Sequence, residues 1–247
     1  MMRDFSILIL SVGMFGAACA QTAQVPANLP AKPSSSGNVA SRTVTGPSAV
    51  GAIDRGTVTG QTYVNKSFGF EVTFPDMWLV VDDKVLANAK TKGFDLDLKP
   101  PKAANSLVQS QLEAAFKRVT VLVSAYRSPP GSPENAVAYV AVEDVRNLNT
   151  NRPVKDAVDY VDLIRSTYQS TYKLANMPPD FQYSETEAER LGSDQYAYLD
   201  TVSKEGKSRL YVTVRGGYAI LFSLNYSSDA DLATFRDMLA RANFSLK

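Results

Sequence analysis

The sequence predicts an α+β domain: an antiparallel β-sheet flanked by α-helices, preceded by a disordered linker. Three observations lead to that class. Four strand-like runs follow one another in the C-terminal third, and short glycine-containing turns between them favour antiparallel hairpins. Three other segments carry apolar residues at helical spacing. Residues 21–61 have no apolar period and are dominated by Pro, Ser, Gly, Ala and Thr. They cannot bury enough surface to offset the entropy of ordering.

Residues 1–20, MMRDFSILILSVGMFGAACA, read as a secretory signal: a short start with Arg3, an apolar run from Phe5 to Ala18, then small residues. The run is too short for a bilayer core of ~30 Å, which takes about 20 apolar residues. The longest later apolar stretch, Ala136 to Val142, suits a buried strand. Ala18-Cys19-Ala20 satisfies the small-x-small rule for ordinary cleavage, while Gly16-Ala17-Ala18-Cys19 resembles a permissive lipobox that would be lipidated at Cys19. Either route leads to a periplasmic or extracellular protein, free in one case and tethered to the membrane as a lipoprotein in the other. The linker of residues 21–61 then leads into a domain spanning 62–247.

Within that domain, Phe68, Phe70, Val72 and Phe74 alternate with Gly69, Glu71 and Thr73, the period of a half-buried strand in which Gly69 would allow close backbone approach. Pro75 ends it for want of an amide hydrogen, and Trp78 should pack over it as an apolar lid. A helix is expected over 104–118, with Leu107, Leu112, Ala115 and Phe116 inward. Val119, Val121, Val123 and Ala125 mark a strand, and 136–145 another. Pro153 opens a second helix whose apolar side is Val154, Ala157, Val161, Ile164 and Tyr168.

Strands are expected over 181–191, 195–203, 208–215 and 218–226, with turns at Lys204 to Lys207 and at Gly216-Gly217. In the last of them Tyr218, Ile220, Phe222, Leu224 and Tyr226 share a face. Ser228 with Asp231 forms a capping-box start for a final helix lined by Leu232, Phe235, Leu239 and Ala242.

Composition narrows the chemistry. Lys plus Arg is 26 against 25 for Asp plus Glu, which gives no electrostatic argument for nucleic acid. Cys19 is the sole cysteine and histidine is absent, so the domain has no thiol chemistry, no Ser-His-Asp or Cys-His arrangement and none of the usual zinc sites. Neither a Gly-x-Ser-x-Gly elbow nor a phosphate-cradling Gly-rich loop occurs. What is left for catalysis is carboxylate, Lys or Tyr chemistry, and no cofactor is implied.

Candidate sites follow from what remains. Asp82, Asp83, Asp95 and Asp97 form a local carboxylate cluster, but a calcium loop starting at Asp95 would need Gly and Glu where Pro100 and Ser106 stand, so no metal is expected and a solvated acidic face is preferred. Tyr160, Tyr168 and Tyr172 run down one helix and Tyr196 and Tyr198 lie in a strand. Exposed, they would suit a binding surface; the alternative is packing. Arg209, Tyr211, Thr213 and Arg215 alternate with Leu210, Val212 and Val214 and could meet an anionic ligand or simply form a wet sheet face. The loop from Pro129 to Pro133 is too short to read as a proline-rich ligand motif.

One stretch resembles a known family. Tyr63, Asn65, Gly69, Phe70, Pro75 and Trp78 are spaced as in the opening Y-x-N-x-x-x-G-F-x-x-x-x-P-x-x-W of PsbP-like domains. Tyr218 to Phe222 followed by Asp231 to Phe244 is similar to their close. The resemblance covers the two ends of 62–247, and the middle matches only in element order. It implies a sheet of about six strands with helices on both faces, an α/β/α sandwich. It also implies a protein that binds other proteins, as the extrinsic subunits of photosystem II do, and does not catalyse. The expectation is therefore an exported binding or scaffold module whose partner is a protein of the cell envelope. The alternative is a periplasmic carrier of a small ligand.

Overall fold

The computed structural model describes residues 53–246 apart from 92–99, 101–102, 104, 129–134, 147, 149, 151–152 and 172–176. The signal segment with Cys19, the linker up to 52, Asp95, Asp97, the loop Pro129 to Pro133 and Tyr172 therefore lie outside the described residues. In chain order the elements are β1 (Thr57–Thr59), β2 (Thr62–Asn65), β3 (Phe70–Thr73), β4 (Leu79–Val81), α1 (Asp83–Thr91), α2 (Ser106–Phe116), β5 (Val119–Tyr126), β6 (Val137–Asp144), α3 (Ala157–Thr171), β7 (Gln182–Tyr183), β8 (Glu187–Leu191), β9 (Asp194–Ser203), β10 (Gly206–Arg215), β11 (Tyr218–Tyr226) and α4 (Asp229–Ala240).

Eight strands form one antiparallel sheet in the order β4-β5-β6-β11-β10-β9-β7, with β8 also paired to β9. The hairpins at Lys204-Glu205 and Gly216-Gly217 set this register, the second with φ of 57° and 80° as a two-residue hairpin turn prefers. Both faces are covered. On one, α3 lays Tyr160, Val161, Ile164 and Tyr168 on Ala141, Leu199, Val212 and Leu221. On the other, a three-stranded sheet β1-β2-β3 and α4 enclose Phe70, Phe74, Trp78, Tyr196, Phe222, Phe235 and Leu239. The chain is thus α+β, an antiparallel sheet with helices on both sides. Among the described residues no helix is long and apolar enough to cross a membrane.

The start of the domain falls earlier than the composition suggested. Residues 57–59 pair with β2, and the Tyr63 hydroxyl donates to the Arg55 carbonyl at 2.8 Å. Fully buried Asn65 donates to the Asp54 carbonyl at 2.9 Å and accepts the Phe68 amide at 3.0 Å. These bonds give Tyr63 and Asn65 of the opening motif a role: they knit residues 53–56 to the β2–β3 hairpin. Gly69 is not inside a strand. It closes the β2–β3 turn at φ 69°, where a side chain would be strained. Trp78 is buried, as expected.

Three further differences have local causes. A bulge between Val121 and Val123 reverses the alternation of β5, so Val119 and Val121 pack towards α3 while Val123 and Ala125 face the other core. In α2 the inward residues are Val108, Leu112 and Ala115, and Leu107 is 70% exposed, because Asn105 caps the helix by accepting the Val108 amide. Helix α3 begins at Ala157 rather than at Pro153; Asp156 accepts the Asp159 amide at 2.9 Å and fixes the start.

Candidate functional site

The tyrosines of α3 do not form a surface. Tyr160 and Tyr168 are 1% and 2% exposed, because their side of the helix is the one laid on the sheet. Tyr168 packs edge-on to Phe181, with ring centroids 5.1 Å apart, and beside Tyr183 at 5.6 Å. Tyr160 donates its hydroxyl to Glu143 at 2.7 Å. The interface expected of these two residues is corrected to packing. Helical spacing reports that residues share a side, and only the tertiary fold decides whether that side is wet.

The face of β10 carrying Arg209, Tyr211, Thr213 and Arg215 is likewise covered rather than wet. Tyr211 is fully buried between Tyr196, Tyr198 and Phe235, and its hydroxyl donates to Glu189 at 2.6 Å. The Arg209 guanidinium lies 4.3 Å over the Tyr198 ring and makes a two-pronged bond to Asp200, its Nε donating at 2.6 Å. Arg236 of α4 pairs with Glu189, and Arg215 pairs with Asp194 while stacking on Phe244. An incoming anion would have to displace carboxylates already in place. The arrangement clamps α4 and the C-terminal segment to the sheet; it does not present a site. The Glu187 hydrogen bond, followed by burial, pushes the Tyr198 phenol up to about 12, so it stays protonated.

Of the acidic cluster, Asp82 caps α1 by accepting the Val85 amide at 2.8 Å. Among the described residues no group of three or more Asp, Glu, Cys or His side chains could hold a metal ion.

A cleft of about 450 Å³ opens beside β5, a place no sequence signal marked. Its walls are Val81, Asp82 and Leu86 on one side, Phe116 and Lys117 at the end of α2, and Val119 to Ser124 with Tyr139 along the floor. The cleft exists because β4 pairs only with Ser124 to Tyr126 of β5. Among the described strands, Val119 and Val121 therefore have a partner on one side only, in β6. Arg55 reaches in and donates to the Val121 carbonyl at 3.3 Å. Walls that mix apolar side chains with backbone, hydroxyl and charged groups suit recognition of a ligand or an extended segment.

No protein-family model and no curated protein matches the chain. Among solved structures it is similar to cyanobacterial PsbP from Synechocystis sp. PCC 6803, at 16% identity over 78% of this chain and 98% of that one, with a TM-score of 0.42. It is also similar to a protein of Bacteroides thetaiotaomicron VPI-5482, at 11% identity over 75% of this chain and 48% of that one, TM-score 0.35. A third, a protein of unknown function from Pseudomonas aeruginosa, is 13% identical over 47% of this chain and 70% of that one, TM-score 0.28.

Proposed function

We infer that this chain is an exported, non-catalytic binding or scaffold module of the PsbP-like kind, and that it engages a protein of the cell envelope or extracellular space through the cleft beside β5. The observation that carries the reading is the contrast in how side chains are used. The Tyr and Arg residues that could have met a substrate are consumed by internal bonds, whereas the cleft combines apolar walls, strand backbone and the charges of Arg55, Asp82 and Lys117. The opening motif supports the family reading, since Tyr63, Asn65 and Trp78 each have a structural task. Export rests on the signal-like residues 1–20, and a lipid tether through Cys19 would hold the module at the membrane.

A second reading, a small-ligand carrier, has one observation in its favour: the cleft volume falls within the roughly 300–1,000 Å³ of ligand pockets. Photocrosslinking in intact envelopes separates the two. A photoreactive residue at Thr120, in the cleft, should yield a protein adduct, and one at exposed Lys204, in the β9–β10 turn, should yield none. Adducts at Lys204 alone would contradict the cleft. No protein adduct at Thr120, with a small molecule retained in native mass spectrometry, would favour the carrier.

A further inference from the structure

We propose that Glu143, Tyr160 and Arg118 form a proton-operated latch that sets how firmly the end of α2 is held to the sheet. Glu143 belongs to β6, near the middle of the sheet, and is fully buried between the strands and α3. One carboxylate oxygen accepts the Tyr160 hydroxyl at 2.7 Å and the other accepts Arg118 Nε at 3.2 Å. Tyr160 is as buried as the carboxylate, while the Arg118 side chain is 35% exposed and stands between α2 and β5. The latch thus joins a fixed partner to a partner that can leave.

Among the described residues, three side chains act on the carboxylate. From α3 there is Tyr160, from the α2–β5 corner Arg118, and along β6 itself Asp144, which is held by Arg146. The neighbours in register, Val119 and Ala219, bring no charge. Burial pushes the Glu143 carboxyl up to about 7, against the lowering pull of the Tyr160 hydrogen bond and of Arg118. Above that pH the anion holds both partners. Below it the neutral acid still accepts from Tyr160 through its carbonyl oxygen, but its ion pair with Arg118 is gone.

That matters for α2 because the helix rests on a small cluster of its own, Val108 and Leu112 against Ala103 and Met177, joined to the core under α3 only through half-buried Met177. Phe116 and Lys117 at its end wall the cleft, so the proton on Glu143 reaches the cleft through the α2–β5 corner. An exported protein meets the pH of its surroundings, which gives such a latch something to respond to.

The test is a carbon-detected NMR titration of the Glu143 carboxyl in the exported protein as purified, in the natural sequence and in Arg118→Gln. By linkage, each unit by which losing Arg118 raises the midpoint means a tenfold weaker hold of Arg118 on the neutral acid. We expect a midpoint near neutrality and an upward move of about one unit in Arg118→Gln. In parallel, amide protection of α2, corrected for intrinsic exchange, should fall about tenfold from pH 8 to pH 5.5 and stay level in Glu143→Gln. A midpoint unmoved by Arg118→Gln would overturn the latch, as would an α2 response that persists in Glu143→Gln. Should Glu143→Gln fail to fold, the Arg118→Gln titration decides alone.

Discussion

Strands β9, β10 and β11 run ten, ten and nine residues and pair along most of their length, whereas β4 has three residues and pairs with only part of a bulged β5. Over the first region lie large cores on both faces and closed polar pairs such as Arg209 with Asp200. Around the second lie short helices, small clusters (Val108 and Leu112; Val81, Tyr126, Val137 and Tyr139) joined to the core under α3 only through half-buried Met177 and Val121, and the cleft. The difference teaches where to look for function. Complete packing uses side chains up, and incomplete packing leaves backbone and apolar walls for a partner.

Substitutions can break that comparison. Phe222 is fully buried against Phe70, Tyr196 and Phe244, so Phe222→Ala should cost about 3–5 kcal/mol in chemical denaturation. Leu112→Ala, in the small cluster under α2, should cost only about 2 kcal/mol. Equal losses would mean that the flank is packed as tightly as the sheet centre.

Gly192→Ala tests the rigid side again. Gly192 sits at φ 60°, and an added Cβ would lie 2.1 Å from the Ala240 carbonyl oxygen at the end of α4. Strain of about 2–3 kcal/mol is expected, read as a lower unfolding midpoint.

The domain boundary gives a comparable effect. Removing residues 21–52 should leave Tm within a degree or two, because that stretch has no apolar period. Extending the deletion to Gly60 removes β1 and the Arg55 and Asp54 carbonyls that Tyr63 and Asn65 bond. That should lower Tm by about 5–10 °C. An unchanged Tm after the longer deletion would return the boundary to residue 61.

The pH dependence is of similar size but spread over a window of pH. Because the folded carboxyl of Glu143 is raised to about 7 from an ordinary 4.5, the folded state holds more protons than the unfolded one between those values. Its contribution to stability is therefore greatest below about 4.5 and declines as pH rises to about 7, by roughly 2–3 kcal/mol at most. Subtracting the profile of Glu143→Gln isolates it; a difference profile flat from pH 4 to 8 would show that the carboxyl titrates normally.

Much of the fold was legible where one periodicity ran uninterrupted. β11, with Ile220, Phe222 and Leu224 on one face, and α4, with its capping box at Ser228 and Asp231, form as their patterns predict. Legibility failed where a local device reversed or hid the pattern. The β5 bulge inverts its alternation, β4 is too short to carry a period, and Asp82 looked like part of an acidic cluster when it is a helix cap. The candidate site was not legible at all. The cleft comes from the mismatch in length between β4 and β5, a relation between strands rather than a motif within one. Tyr160 and Arg209 stood out for their chemistry, but their roles were set by the partners Glu143, which is buried, and Asp200, which is half-buried, and no spacing could pair them.

Native-state hydrogen exchange measures the contrast between the two regions most directly. Amides of Leu210 to Val212 and Ile220 to Phe222, paired on both sides in the sheet, should exchange only through global unfolding. Those of Gln109 to Phe116 in α2 should exchange through local opening at a free energy several kcal/mol lower. Equal opening free energies in both sets would contradict the account, since the flank around the cleft would then be as closed as the sheet it adjoins.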